Sequence, residues 1–200
     1  MTSIALATED LLSEAIGLRL LAEPSCGLEC SRTLRKQGAG YLRSRMPSWH
    51  EMARRGQAVL VITDLDRLRC PATLVALWYA RRERRDNLLI RVAVREVESW
   101  LLADHDGMHR LLGAKGRLPS NPDELADPKQ HLLKLARFAR REIRDDLVAA
   151  TDAIARQGLG YNARLSAFVK ADWNPVRASA RSNSLERTRR RLAEFAERGL

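Results

Sequence analysis

Cysteine is scarce in this chain. Three stand in 200 residues, Cys26, Cys30 and Cys70. No second pair accompanies Cys26 and Cys30, and His50, His105, His109 and His131 form no grouping that would complete a tetrahedral set. A structural zinc site is therefore not expected, and three free thiols fit a reducing cytoplasm. No apolar run approaches the roughly 20 residues of a membrane-spanning helix. No basic stretch followed by an apolar one opens the chain, so a signal peptide is not expected either. A Gly-x-x-x-x-Gly-Lys phosphate loop is missing, which excludes ATP hydrolysis by the usual loop within this chain. No Ser-His-Asp arrangement can be argued, and there is no internal repeat or long low-complexity tract. Lysine is rare as well: the basic residues are almost all arginine.

What remains is a core and a surplus of positive charge. Hydrophobic residues make up 45% of the chain, the formal net charge is +10 and the pI is about 10.3. That length suits one domain with a small appendage. The charge favours polyanionic partners, nucleic acid first, and arginine binds phosphate in a bidentate way that lysine cannot. Arg32, Arg35, Lys36, Arg43, Arg45, Arg54 and Arg55 follow Cys30 with Glu51 the one acid among them. Interrupted by glycine and carrying Tyr41 and Trp49, this segment suits either a path along a phosphate backbone or a polar connection into a helix near 46–55.

The most informative stretch is Ala58-Val-Leu-Val-Ile-Thr-Asp64-Leu-Asp66-Arg-Leu-Arg-Cys-Pro71. Val59 to Ile62 is a short, mostly β-branched run, which reads as a strand buried on both faces of a parallel sheet. Asp64 and Asp66 stand where that strand ends, and Pro71 suits the first turn of a helix running over 72–85. In open α/β sheets, sites form outside the carboxyl ends of the strands. The same order recurs twice. Ser3 to Ala7 is a candidate strand followed by Glu9, Asp10 and a helix over 11–21. Leu88 to Val94 is another, followed by Glu96, Glu98 and a helical run to Asp104. A further short strand is expected at 26–30. Each acid has an ordinary alternative role, in complementing a helix dipole or closing a turn, but three strand ends bearing acids would place them on one edge of one sheet.

Carboxylates gathered there suit Mg²⁺ or Mn²⁺, which take oxygen ligands and promote phosphoryl chemistry. Lys129, after Asp127-Pro128, is a candidate for stabilising negative charge in the transition state. Beyond residue 105 the pattern is helical. Leu132 to Ile143 share one apolar face, a turn lies at Gly158-Leu-Gly160-Tyr161, and a last helix runs over 185–198 with Ser184 as its cap.

The set Glu9-Asp10-x-x-Ser13-Glu14, Asp64-Leu-Asp66-Arg67 with Cys70-Pro71, Arg95-Glu96-x-Glu98-x-Trp100-Leu-Leu-Ala-Asp104, Asp127-Pro128-Lys129, and Trp173-Asn-Pro175 with Ser184-Leu185 resembles a bacterial Toprim-like family of unknown function, related to the Toprim domains of overcoming-lysogenization-defect nucleases. The resemblance covers nearly the whole chain, and the Arg-Glu-x-Glu-x-Trp block is its most specific part. It implies an α/β, Toprim-like fold with a mostly parallel central sheet flanked by helices. Residues 1–112 would form that domain and 113–200 a helical C-terminal extension packed on it. It implies a site in which Glu9 is general acid/base or ligand, Asp64 and Asp66 bind Mg²⁺ or Mn²⁺, and Glu96 and Glu98 complete the shell. Catalysis would rest on Glu9, Asp64, Asp66 and Lys129, and nucleic-acid binding on Arg32, Arg35, Lys36, Arg43 and Arg67. The expected function is metal-dependent cleavage of DNA, in preference to RNA, in the cytoplasm, beside an ATPase partner in anti-phage defence; an oligomer is compatible with this. The other reading is a non-catalytic subunit that regulates such an ATPase. A phosphatase forming an aspartyl-phosphate ranks last, because Arg67 follows Asp66 where Thr or Val would be wanted. Where many Toprim sequences place glycine after the first glutamate, this chain has Asp10.

Overall fold

The computed structural model describes residues 2–24, 26–35, 40–150 and 156–199. Lys36, expected to bind nucleic acid, lies outside them. Four strands, β1 (Thr2–Thr8), β2 (Leu28–Arg35), β3 (Ala58–Asp64) and β4 (Leu88–Ala93), form one sheet in the order β2-β1-β3-β4. All three pairings are parallel, as the unbroken apolar run of β3 requires. Helices α1 (Leu11–Leu21), α2 (Tyr41–Ser44), α3 (Met46–Arg54), α4 (Pro71–Tyr79), α5 (Glu98–Leu102) and α6 (His105–Leu112) alternate with or follow the strands. A 3₁₀ turn (Pro122–Glu124) leads to α7 (Pro128–Ala136), α8 (Arg141–Leu147), α9 (Tyr161–Ala171), α10 (Pro175–Ser179) and α11 (Asn183–Glu197).

Strand alternation splits the core in two. Ile4, Leu6, Leu60 and Ile62 face a large apolar cluster built with α1, α5 to α7, α9 and α11. Val59, Val61, Leu88, Ile90 and Val92 face a smaller one with Trp49 of α3 and Leu74 of α4. The larger cluster runs without a break from Ile4 to Phe195. Residues beyond 112 thus complete the cover on one face of the sheet.

Close approach is needed where α1 crosses that face. A Cβ on Gly17 would meet the methyls of Leu6 at 2.7 and 2.8 Å and Ile62 Cδ1 at 3.1 Å. Gly17→Ala is expected to destabilise by about 1–3 kcal/mol through overpacking, despite alanine's better helix propensity; thermal unfolding measures it.

Several expectations shift. The strand expected at 26–30 runs over 28–35 instead, so Arg32 and Arg35 lie on the edge strand β2 and not in a loop. The ladder slips between Ile4 and Ala5 to absorb one extra residue of β2. The helix expected over 72–85 stops at Tyr79, because Ala80 turns into the left-handed region (φ 50°) ahead of the Arg81-Arg-Glu-Arg-Arg85 run. The apolar face of 132–143 is divided between α7 and α8, which meet at a break over 137–140. The cap of the last helix is Ser182, whose hydroxyl accepts from Leu185 N at 3.2 Å. Ser184 instead accepts from Trp100 Nε1 at 2.7 Å. Among the described residues, no helix is long and apolar enough to cross a membrane.

Candidate active site

Because β1, β3 and β4 are adjacent and parallel, their carboxyl ends open on one edge. There lies a cleft of about 700 Å³ whose lining includes the acids Glu9, Asp64, Asp66, Glu96 and Asp127 and the arginines Arg43, Arg67 and Arg95. A second cleft of about 370 Å³, lined by Lys129, Gln130, Arg156 and Gln157 among others, meets the first at Glu96 and Asp127, which line both.

Each acid is placed by local chemistry. Asp10 caps α1: its carboxylate accepts from Ser13 N at 2.7 Å. That fixes Glu9 as the last residue before the helix cap. Asp64 closes β3, and its Oδ1 accepts from Val97 N at 2.9 Å, joining the ends of β3 and β4. Asp66 sits in the left-handed region (φ 51°), which costs a non-glycine residue of the order of 1 kcal/mol or more. Arg95 holds it there. The Arg95 carbonyl accepts from Asp66 N at 3.0 Å, and Arg95 Nη1 donates to the carbonyls of Asp66 (3.0 Å) and Leu68 (2.9 Å). Glu96 Oε2 accepts from Lys129 N at 3.0 Å, tying the start of α7 to the strand edge.

Ion pairs do not offset the charge along this wall. Although the chain carries ten more basic than acidic residues, none of Glu9, Asp64, Asp66, Glu96 or Glu98 takes part in an ion pair among the described residues, whereas Asp104 and Glu23 do. Burial pushes the Asp64 carboxyl well above the usual range, and the charges of Glu98, Asp66, Asp10 and Glu96 push it further. Burial raises Glu9, with Asp66 and Asp10 adding to it. Burial also raises Glu96 against the opposing hydrogen bond from Lys129 N.

Glu98 differs from its expected place. It is 5% exposed, sits behind the cleft wall, and accepts from the Tyr161 hydroxyl at 2.8 Å. Burial lifts its pKa to about 7, against the pull of Lys129 and of the Tyr161 hydroxyl. Folding therefore favours its neutral form. The associated stability is complete below the ordinary glutamate range and is lost as pH rises through about 7. In metal-free buffer the melting temperature is expected to fall between about pH 5 and pH 8, and Glu98→Gln should flatten that slope; a thermal unfolding series in pH reads both.

Lys129 reaches the same corner. Its ammonium lies 5.0 Å from the centroid of the Tyr161 ring, a cation–π distance. Arg43 and Arg67, expected to bind nucleic acid, line the cleft. Arg32 and Arg35 do not, and Arg35 Nε pairs with Glu14 at 3.2 Å. Three contributors carry roles that the sequence does not mark: Tyr161, Arg95 as the clamp on the Asp66 loop, and Asp127, whose side chain caps α7 through Gln130 N at 2.7 Å while lining both clefts.

The oxygen-only donor set and its unneutralised charge suit a hard divalent cation. As the side chains stand, however, no three His, Cys, Asp or Glu groups among the described residues are gathered closely enough to hold one. The hydrogen bonds from Val97 and Lys129 each occupy one oxygen of their carboxylate, so binding would draw on side-chain rotation at Glu9, Asp66 and Glu96.

The fold and edge define an α/β protein with an all-parallel four-stranded sheet and an acidic cleft at its carboxyl end. Comparison of the chain with protein-family models, with curated proteins and with solved structures finds no match.

Proposed function

We propose that the chain is a metal-dependent nuclease of the Toprim type that hydrolyses DNA phosphodiesters. The observation carrying this reading is the row of carboxylates at three adjacent strand ends, without ion pairs among the described residues, in one cleft whose lining also includes Arg43, Arg67 and Arg95. Glu9, Asp64 and Asp66 would hold Mg²⁺ or Mn²⁺, with Glu96 on the same rim. Bound there, such an ion supplies Lewis-acid polarisation of the phosphodiester and a lowered pKa for attacking water. The arginines take the flanking phosphates, Arg95 keeps Asp66 on the cleft, and Lys129 offers positive charge at the opposite end. Glu9, its pKa raised by burial and by the charges of Asp66 and Asp10, is suited to general acid/base work. The family resemblance is what supports an ATPase partner and a place in cytoplasmic anti-phage defence.

The test is cleavage of supercoiled plasmid and single-stranded DNA with and without Mg²⁺ or Mn²⁺, comparing wild type with Asp64→Ala/Asp66→Ala. Metal-dependent cutting lost in the double variant supports the reading. No cutting by wild type, alone or with its ATPase and ATP, overturns it. The lack of three converging ligands among the described residues favours a second reading, a non-catalytic subunit docking on an ATPase. Stable co-purification together with no metal uptake in titration would establish that one.

A further inference from the structure

The acidic wall faces an aromatic as well as basic residues. Trp78, near the end of α4, lines the cleft with Leu68, Arg43 and Arg67. It is partly exposed, while Trp49, Trp100 and Trp173, the other three tryptophans, are each at most 1% exposed. A partly exposed indole in one cleft with arginines and carboxylates matches what a single strand needs: cations for the backbone and a ring on which an unpaired base can stack. A second cleft, lined by Lys129 and Arg156 among others, shares Glu96 and Asp127 with the first, so basic residues belong to the linings of both.

We infer that the two clefts form one track for single-stranded DNA, with Trp78 as the base-stacking platform on one side of the acids and Lys129 and Arg156 holding phosphates on the other. A paired base has no free face to offer Trp78, so the track selects unpaired strands. A strand crossing the acidic row on both sides is cut internally and not from an end. The inference rests on reading the cleft as a nucleic-acid site and adds the strandedness of the substrate and its path.

Trp78 supplies its own reporter, because the other indoles are shielded from solvent. The experiment is a fluorescence titration of the full chain with oligothymidylate in chelator, for wild type, Asp64→Asn, Trp78→Ala and Trp78→Phe. Oligothymidylate should quench wild type and Asp64→Asn. Trp78→Ala should lose the quenching and bind roughly tenfold more weakly by anisotropy. Trp78→Phe, which keeps an aromatic face, should bind within about twofold of wild type. Arg43→Ala and Arg156→Ala should each reduce the salt dependence of binding by about 0.7 in log–log slope, the value for one phosphate left without its cation. A duplex of matching length should not quench. Saturating oligothymidylate that leaves wild-type emission unchanged, or Trp78→Ala binding as tightly as wild type, overturns the inference. Chelator keeps this apart from cleavage. A chain that binds and quenches but never cuts retains the single-strand track and loses the nuclease reading. A chain that cuts without Trp78 quenching retains the nuclease reading alone.

Discussion

Asp64→Asn is expected to abolish metal-dependent cutting and, in metal-free buffer, to raise the melting temperature. The two effects share one cause. Asp64 is a carboxylate pushed toward its neutral form by burial and by Glu98, Asp66, Asp10 and Glu96. The asparagine oxygen can still accept from Val97 N, so the link between β3 and β4 survives while the repulsion is relieved. Each kcal/mol relieved corresponds to about 2–4 °C in a chain of this size. Activity should fall by more than the roughly 10–100-fold that loss of an outer-shell partner costs at a metal site. Magnesium should reverse the order of stability, because an ion held only by the folded wild type adds about 2.7 kcal/mol at a hundred times its Kd. Thermal melts of both proteins with and without Mg²⁺, alongside plasmid cleavage, check all three parts. A variant no more stable than wild type in chelator would remove the argument that charge is stored at this edge.

Arg177→Ala is expected to be the most damaging single change away from the cleft, at about 3–5 kcal/mol or about 6–20 °C in melting temperature. Asp104 is fully buried and caps α6 through Gly107 N at 3.2 Å. It also accepts from Asn174 N at 2.8 Å and from Arg177 Nε and Nη2, both at 2.8 Å. Burial works to raise its pKa, but the guanidinium and the two N–H groups outweigh it and hold the carboxyl below the usual range. Removing Arg177 strands a buried carboxylate with two backbone donors. The pH dependence should also change sign locally. In wild type this pair contributes stability above the ordinary aspartate range and loses it on acidification through the lowered pKa. Denaturant unfolding at about pH 7 and pH 3 measures the difference.

Asp104 shows what the sequence could and could not tell. The Arg95 to Asp104 block reads as one motif, yet its members divide. Glu96 faces the cleft, Glu98 lies behind it, and Trp100 and Asp104 are scaffold: Trp100 is bound through its carbonyl to Trp173 Nε1 at 3.1 Å and through its indole to Ser184. Trp173, Asn174 and Ser184 are accordingly partners of that block and not a separate site. The strands β1, β3 and β4 and the acids at their ends were legible because buried parallel strands are short apolar runs and the residues after them have a fixed position in the fold. The extension of β2 was not, since an edge strand exposed along most of its length carries no apolar run to mark it. Tyr161 lies 63 residues from Glu98, and nothing local marks a partner that only packing of α9 on α1 brings near. The left-handed turn at Asp66 was equally hidden, because an aspartate there is indistinguishable in sequence from one in an ordinary turn.

The order in which the chain is made gives the bond between Tyr161 and Glu98 a further meaning. By the time β4 emerges, the strands carrying Glu9, Asp64 and Asp66 exist, but the sheet face of Ile4 and Leu6 is still without α9 and α11, and Glu98 has no hydroxyl to receive. Such distant pairings form late and slowly. A growing chain thus carries the acids before Glu98 has its partner, and that corner is completed only when the last third of the chain is folded onto the first.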